Sequence, residues 1–140
     1  MDKGRWEHYS HPADMGVRGF GRTREDAFAQ AALAMTAIIV DPAKIECRTA
    51  VDIVCEDDDD EMLFWHWLSG LLFEMGLRNM VFGRFELHSV EGGLRATAWG
   101  EEVDKARHEP AVEVKAATFA DLKVDRDQEG TWMAQCVVDV

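Results

Sequence analysis

The alternation of apolar and polar positions near the start of the chain predicts a β-hairpin. Residues 5–9 and residues 15–21 alternate in the manner of two short strands. Between them, Pro12 disfavours helical geometry at the residue before it, so residues 11–14 are interpreted as the turn that joins the strands.

Two stretches instead repeat their apolar residues at helical spacing. In the first, Thr23 is a candidate N-cap, and apolar residues recur through Ile39 before Asp41-Pro42 ends the helix. The second covers residues 61–75 and follows a run of six acidic residues, which favours a helix N-terminus. This second helix is apolar over so much of its girth that we predict a second layer of the core, with a partner or self-association surface that uses Trp65 as the alternative.

The rest of the chain is predicted to be strands and turns. A half-buried strand is expected over residues 44–55 and a hairpin over residues 81–90 and 94–99, while residues 103–109 are interpreted as a loop. Further strands are expected over residues 112–117, 122–124 and 131–140. This order predicts one α+β domain over residues 1–140, with an antiparallel or mixed β-sheet and two helices packed on it.

Composition narrows the class of protein. The chain has 140 residues and a formal net charge of −12, which argues against direct nucleic-acid binding and favours a cation or a basic protein surface, although solubility alone also explains it. No apolar run approaches the ~20 residues of a membrane helix, and no secretory signal is visible at the N-terminus. Three cysteines without CxxC spacing suggest reduced thiols, so we expect a cytoplasmic protein without a membrane partner.

Candidate chemistry rests on carboxylates. The sequence has no phosphate-binding loop, no nucleophile motif and no zinc-binding spacing, and the acidic run at residues 56–61 lacks a calcium-loop pattern. Asp14 lies in the predicted turn, Asp139 is the penultimate residue, and Val140 would add a main-chain carboxylate. If the fold brings them together, a divalent cation would offset their repulsion, and oxygen ligands favour Ca²⁺ or Mg²⁺. A solvated terminal aspartate and a turn-forming Asp14 are the alternatives.

Five motifs in register resemble the archease family across the whole chain. They cover residues 11–21, residues 25–28, Gly100-Glu101 with the downstream His108, residues 114–118 and residues 132–140. Two departures from the family pattern are visible, because Pro12 stands where the family usually has Thr and Ala117 where it usually has Val. Pro12 removes a hydroxyl beside the candidate site.

The resemblance implies an archease-like fold and a function without catalysis by the protein itself. Archeases activate the GTP-dependent RNA ligase of tRNA splicing and RNA repair, which joins a 2′,3′-cyclic phosphate or 3′-phosphate end to a 5′-hydroxyl end. They promote guanylylation of the ligase and its multiple turnover. The expected partner is therefore this ligase, with no direct contact to nucleic acid. A chaperone-like role toward an RNA-modifying enzyme is the alternative.

The resemblance also implies the site residues. The metal ligands carry over to Asp14, Asp139 and Val140, with Ca²⁺ as the expected ion and Mg²⁺ or Mn²⁺ as alternatives. The functional lysine of the family carries over to Lys115. His11 and His108 are weaker candidates, for which packing or orientation of a ligand is expected over ligation.

A metal-dependent hydrolase with His11 as general base is the third hypothesis.

Overall fold

The computed structural model describes residues 4–140, which form two antiparallel sheets and three helices. This is the α+β class that the sequence pattern predicts, with the strands divided between two sheets. The elements in chain order are β1 Arg5–His11, β2 Asp14–Gly21, α1 Arg24–Ile39, a 3-10 turn Pro42–Lys44, β3 Thr49–Glu56, α2 Asp60–Arg78, β4 Met80–Val90, β5 Gly93–Glu102, α3 Lys105–His108, β6 Ala116–Ala117, β7 Lys123–Arg126 and β8 Trp132–Asp139.

The first sheet joins the two ends of the chain. Its strand order is β1-β2-β8-β6, and β7 also pairs with β8. Strand β2 runs antiparallel to β8, with Val17 opposite Cys136. Gly19 allows α1 to lie against this sheet, because a Cβ at this position would overlap main-chain atoms of Ala27 and Ala31. The alanine-rich face of α1 is therefore in direct contact with the backbone of β2.

The second sheet has the order β3-β5-β4, and both long helices contact strands of both sheets. This arrangement explains why each helix is apolar around much of its circumference. The indole of Trp67 in α2 is fully buried, and its N–H donates to the carbonyl oxygen of Phe28 in α1 at 3.0 Å. Within residues 4–140, no helix is long and apolar enough to cross a membrane.

Side-chain caps fix where the long helices begin and end. The hydroxyl of Thr23 accepts from the amide of Asp26 at 3.0 Å, as the sequence predicts for α1. The carboxylate of Asp59 accepts from the amide of Met62 at the start of α2. The same helix ends at Arg78 and is capped by Asn79, which adopts the left-handed conformation.

Three local predictions are wrong. The strand expected from residue 44 begins at Thr49, because Asp41 caps a 3-10 turn through the amide of Ala43. The loop expected over residues 103–109 contains the one-turn helix α3, whose first amides are capped by Asp104. The strand expected over residues 112–117 is reduced to the two residues of β6, and Ala111, just before that segment, donates its amide to the carbonyl oxygen of Ile39 at the end of α1.

Candidate functional site

The predicted carboxylate residues lie at the same end of the first sheet. Strand β2 begins at Asp14 and the neighbouring β8 ends at Asp139. Met15 is paired with Val138, so Asp14 and Asp139 are the next pair of residues along this antiparallel register. Side chains of directly opposed residues project from the same face, with Cβ atoms about 5 Å apart. Both aspartates are half-buried, and Val140 follows as an exposed residue.

Lys115 approaches the same end of the sheet from the other side of β8. Its main-chain amide donates to the carbonyl oxygen of Asp139 at 2.8 Å, and β6 begins with the next residue. The side chain is exposed and lines a groove with Trp65 and Phe73 of α2. Within residues 4–140, its ammonium group forms no ion pair. Lys115 thus presents an unneutralised positive charge next to Asp139, the last residue of β8.

His11 completes this end of the sheet on the side of β1. It is paired with Asp14 across the two-residue turn formed by Pro12 and Ala13. Ala13 has a φ of 65°, a left-handed conformation that suits the second residue of such a turn after proline. The Nδ1 atom of His11 is buried and has no hydrogen-bond partner. The turn therefore holds a histidine and an aspartate side by side.

The side chains at this end have the right chemistry for a divalent cation but do not enclose one by themselves. Within the described part of the chain, no three side chains of His, Cys, Asp or Glu are grouped so as to hold a metal ion. Two carboxylates on adjacent strands and the unpartnered nitrogen of His11 are the donors available. Complete coordination would need further oxygens from the main chain or from water.

His108 belongs to a different cluster. Its side chain is fully buried, its Nε2 donates to Glu101 at 2.9 Å, and its Nδ1 accepts from the amide of Asp104 at 2.8 Å. Both ring nitrogens are therefore occupied by hydrogen bonds within the protein. His108 therefore holds α3 against the end of β5 through these two hydrogen bonds.

Glu101 is the centre of this cluster, and in the sequence it stands out only as part of the Gly100-Glu101 motif. Arg107 donates to both carboxylate oxygens, at 2.7 and 2.8 Å, and the amide of Glu46 donates at 2.7 Å. These hydrogen bonds, that from Arg107 above all, hold the pKa of Glu101 well below its usual range. The cluster joins the segment before β3 to α3 and is a structural network.

The cysteines take no part in the candidate site. Burial raises the pKa of Cys55 to about 11 and that of Cys136 to about 12, so both thiols are protonated at neutral pH. Cys47 is half-buried, and all three cysteines are free. These facts agree with the prediction of reduced packing thiols.

The exposed apolar surface of α2 is centred on residues other than Trp65. The indole of Trp65 is half-buried, donates to the carbonyl oxygen of Ala117 at 2.9 Å and stacks against Phe119 at 5.1 Å. The aromatic side chains that reach solvent here are Phe73, which is 65% exposed, and Phe119, which is 60% exposed. We call these two residues and Trp65 the aromatic surface.

The structure is an α+β domain in which β2 and β8 lie side by side and bring Asp14 and Asp139 to the same end of the first sheet. We call this end, with Asp14 and Asp139, the acidic sheet end. The family model that matches, over residues 6–140, is that of the Archease protein family. Protein archease of Pyrococcus furiosus is 44% identical over 139 residues, covering 96% of this chain and 98% of that one. Protein archease of Thermococcus gammatolerans is 42% identical over 140 residues, with 97% and 99% covered. The chain belongs to the archease family.

Solved structures agree with this fold. The solution structure of a Methanobacterium thermoautotrophicum protein has a TM-score of 0.75 at 28% identity and covers 100% of both chains. A crystal structure from Thermotoga maritima, described as an archease and possible chaperone, has a TM-score of 0.64 at 17% identity and covers 94% of both chains. At that identity the second likeness concerns the fold alone.

Proposed function

We propose that this protein is a cytoplasmic accessory activator of a GTP-dependent RNA ligase that joins 3′-phosphate or 2′,3′-cyclic phosphate ends to 5′-hydroxyl ends. In this proposal it promotes guanylylation of the ligase and repeated turnover, and it does not catalyse the joining itself. Membership of the archease family supports the proposal. The observation that carries it is the register that makes Asp14 and Asp139 neighbours at one end of the first sheet.

The proposed working part is a divalent-metal site. Its ligands are Asp14, Asp139 and Val140, and the expected ion is Ca²⁺, with Mg²⁺ or Mn²⁺ as alternatives. Carboxylates on adjacent strands repel each other, and a bound divalent cation would neutralise the charge of the two aspartates at this end of the molecule. Lys115, exposed beside Asp139, would add a positive charge for a phosphate of the partner's nucleotide.

The overall charge supports a protein partner that itself binds RNA. With a formal net charge of −12, this chain is repelled by RNA phosphates but attracted by the basic surface of an RNA-binding enzyme. Such a partner would be approached rapidly at low ionic strength, and the association would weaken as salt is added. The acidic chain would thus dock without competing for RNA.

The test is a ligation assay with a purified ligase of this class, GTP and an RNA that carries a 3′-phosphate and a 5′-hydroxyl. Ligase turnover is measured with substoichiometric ligase and the wild-type protein, Asp14→Asn or Asp58→Asn. Asp58 is an exposed acid ahead of α2, so its variant is the matched control for loss of one charge. We expect Asp14→Asn to abolish multiple turnover and Asp58→Asn to leave it unchanged.

A second pair of variants tests the lysine. Lys115→Gln is compared with Lys105→Gln. Lys105 is also exposed, but it lies in α3 and not beside the strands that carry Asp14 and Asp139. We expect a loss of stimulation only for Lys115→Gln. Normal stimulation by both Asp14→Asn and Lys115→Gln, with unchanged circular dichroism, would refute the proposed role of the sheet end.

The aromatic surface favours a second candidate function, a chaperone-like module that binds an RNA-modifying enzyme. Phe73 and Phe119 are more than half exposed; Phe73 lines the groove that Lys115 also lines, and Phe119 packs against Trp65, another residue of that groove. This function predicts that the protein suppresses aggregation of a client, that Phe119→Ser with Phe73→Ser abolishes the effect, and that Asp14→Asn does not. Trp65 is unsuitable for this test, because its indole is a structural hydrogen-bond donor.

A further inference from the structure

The segment that leads into β6 has the sequence pattern of a strand but no strand beside it. Residues 112–117 alternate apolar and polar side chains at their start, yet pairing with β8 is limited to Ala116–Ala117. Within residues 4–140, the main-chain polar groups of Val112, Glu113 and Val114 form no hydrogen bond. Unpaired main-chain groups of this kind are the ones to which an extended segment of another protein adds as a strand.

A groove lies between this segment and the C-terminal half of α2. It consists of two adjacent cavities of about 280 Å³ and about 440 Å³, which share Leu72 and Lys115 and which we together call the α2 groove. The larger cavity is lined mainly by apolar residues, and its size is that of an ordinary binding site. Phe73 of the smaller cavity is 65% exposed, and Val112, next to the lining residue Glu113, is 49% exposed. Apolar surface therefore reaches solvent along the groove.

Gly76 keeps the larger cavity open on the side of the helix. It lies inside α2 and lines this cavity, and a Cβ at its position would meet nothing within 4 Å. The packing of the chain itself therefore does not require glycine here, and the left-handed cap of α2 is Asn79. Because glycine is less favourable than alanine inside a helix, its presence weakens α2 without a gain in internal packing. The missing side chain instead leaves space for a docked segment.

The charges of the α2 groove indicate the kind of occupant. Glu113 and Lys115 are both exposed, both line the larger cavity, and in the described part of the chain neither forms an ion pair. The amide of Lys115 is bonded to Asp139, so the groove continues to the acidic sheet end. A partner that binds RNA carries basic side chains on its surface, and one of these would neutralise Glu113.

We propose that the α2 groove receives an extended segment of the partner ligase, which adds as a strand beside residues 112–114. Apolar side chains of this segment pack against Leu72 and Met75, and a lysine or arginine of the segment pairs with Glu113. The inference rests on the proposed function and adds to it a docking surface that is separate from the carboxylates. The groove supplies affinity for the partner, and the acidic sheet end acts on the partner's nucleotide.

Hydrogen exchange of main-chain amides tests the added strand directly. Exchange is measured for the wild-type protein alone and with an excess of the purified ligase used in the turnover assay. We expect the amides of residues 112–114 to exchange rapidly in the free protein and at least about tenfold more slowly in the complex. Strand β3, which is an edge of the second sheet, is the internal control and should keep its exchange rates.

Two variants with matched controls test the groove through the dissociation constant of the complex. Gly76→Gln places a side chain in the larger cavity, whereas Ala50→Gln adds the same side chain to an exposed position of β3. Glu113→Lys reverses the charge in the groove, whereas Glu91→Lys makes the same change at the exposed turn between β4 and β5. Because glutamine is favoured over glycine in a helix, Gly76→Gln should be at least as stable as wild type, which thermal unfolding measures.

We expect Gly76→Gln and Glu113→Lys to weaken binding at least about tenfold and the two controls to change it less than about threefold. Unchanged exchange at residues 112–114 in a complex whose turnover still depends on Asp14 would overturn the docking inference and leave the proposed function intact. Slow exchange in the protein alone that is lost on dilution would assign the groove to a second copy of this chain and equally overturn the inference. Failure of the ligase to bind the wild-type protein would overturn both.

Discussion

Replacement of Gly16 by alanine tests how tightly the candidate site is packed against the hairpin. Gly16 follows Asp14 by two residues on the same face of β2, and the ring of Tyr9 lies directly over it. A Cβ at this position would overlap three atoms of the Tyr9 ring. The ring itself is held by the guanidinium of Arg18, 4.4 Å from its centre, and by a contact of its hydroxyl with Asp121 at 3.4 Å.

The size of the effect follows from this overlap. Carbon atoms in ordinary contact are about 3.5–4.0 Å apart, and the added methyl group would lie more than ~1 Å inside that limit. Because the ring must move and lose its contacts, we expect Gly16→Ala to lower the free energy of unfolding by about 2 kcal/mol, within the usual cost of overpacking. In a domain of this size, that corresponds to a fall in Tm of roughly 6–8 °C.

A double-mutant cycle with Tyr9→Ala separates this explanation from a general intolerance of β2 to side chains. Removing the ring opens the space above Gly16, so Gly16→Ala should cost less than about 0.5 kcal/mol in the Tyr9→Ala background. Gly19 is the matched control, because a Cβ there meets the backbone of α1 and Tyr9→Ala cannot relieve that overlap. Urea unfolding followed by tryptophan fluorescence measures all variants. Equal losses for Gly16→Ala in both backgrounds would refute the reasoning.

Three further expectations concern other parts of the molecule. Ala13→Gly should raise stability by about 0.5 kcal/mol, because relief of the left-handed φ of 65° outweighs the added freedom of the unfolded chain; a lower urea midpoint would contradict this. The lowered pKa of Glu101 means that its bonds stabilise the fold fully above its ordinary pKa of about 4.3 and lose that effect as pH falls toward the folded-state value. Glu101→Gln should therefore be less stable than wild type at neutral pH, and the difference should narrow between about pH 5 and pH 3; a difference independent of pH would argue against the assignment. A thiol reagent at neutral pH should label Cys47 in the native protein before Cys55 or Cys136, because burial raises the pKa values of these two thiols to about 11 and about 12. Mass spectrometry of the labelled peptides measures the order of labelling, and earlier labelling of Cys55 or Cys136 would contradict this expectation.

The local pattern of the sequence determined the main elements and the class of fold. The N-cap at Thr23, the periodic apolar residues of α1 and α2 and the alternation along β2, β4, β5 and β8 all predict structure from short-range physics. Where a side chain competes for nearby amides, the same reasoning fails. Asp41 caps a 3-10 turn that ends at Lys44, where a strand is predicted to begin, and Asp104 caps a helical turn inside the loop predicted over residues 103–109.

Long-range pairing was decided only by the tertiary structure. Nothing in the spacing of residues 14 and 139 requires that they meet, and it is the register of β2 with β8 that makes them neighbours. The same holds for the bonds of Glu101 with Arg107 and Glu46, and for the unpartnered nitrogen of His11, since burial and hydrogen-bond partners depend on what other elements cover. The sequence by itself determined which residues could bind an ion, because that is a property of their functional groups. Their proximity was decided by strand pairing, because contacts between distant residues depend on the fold of the whole chain.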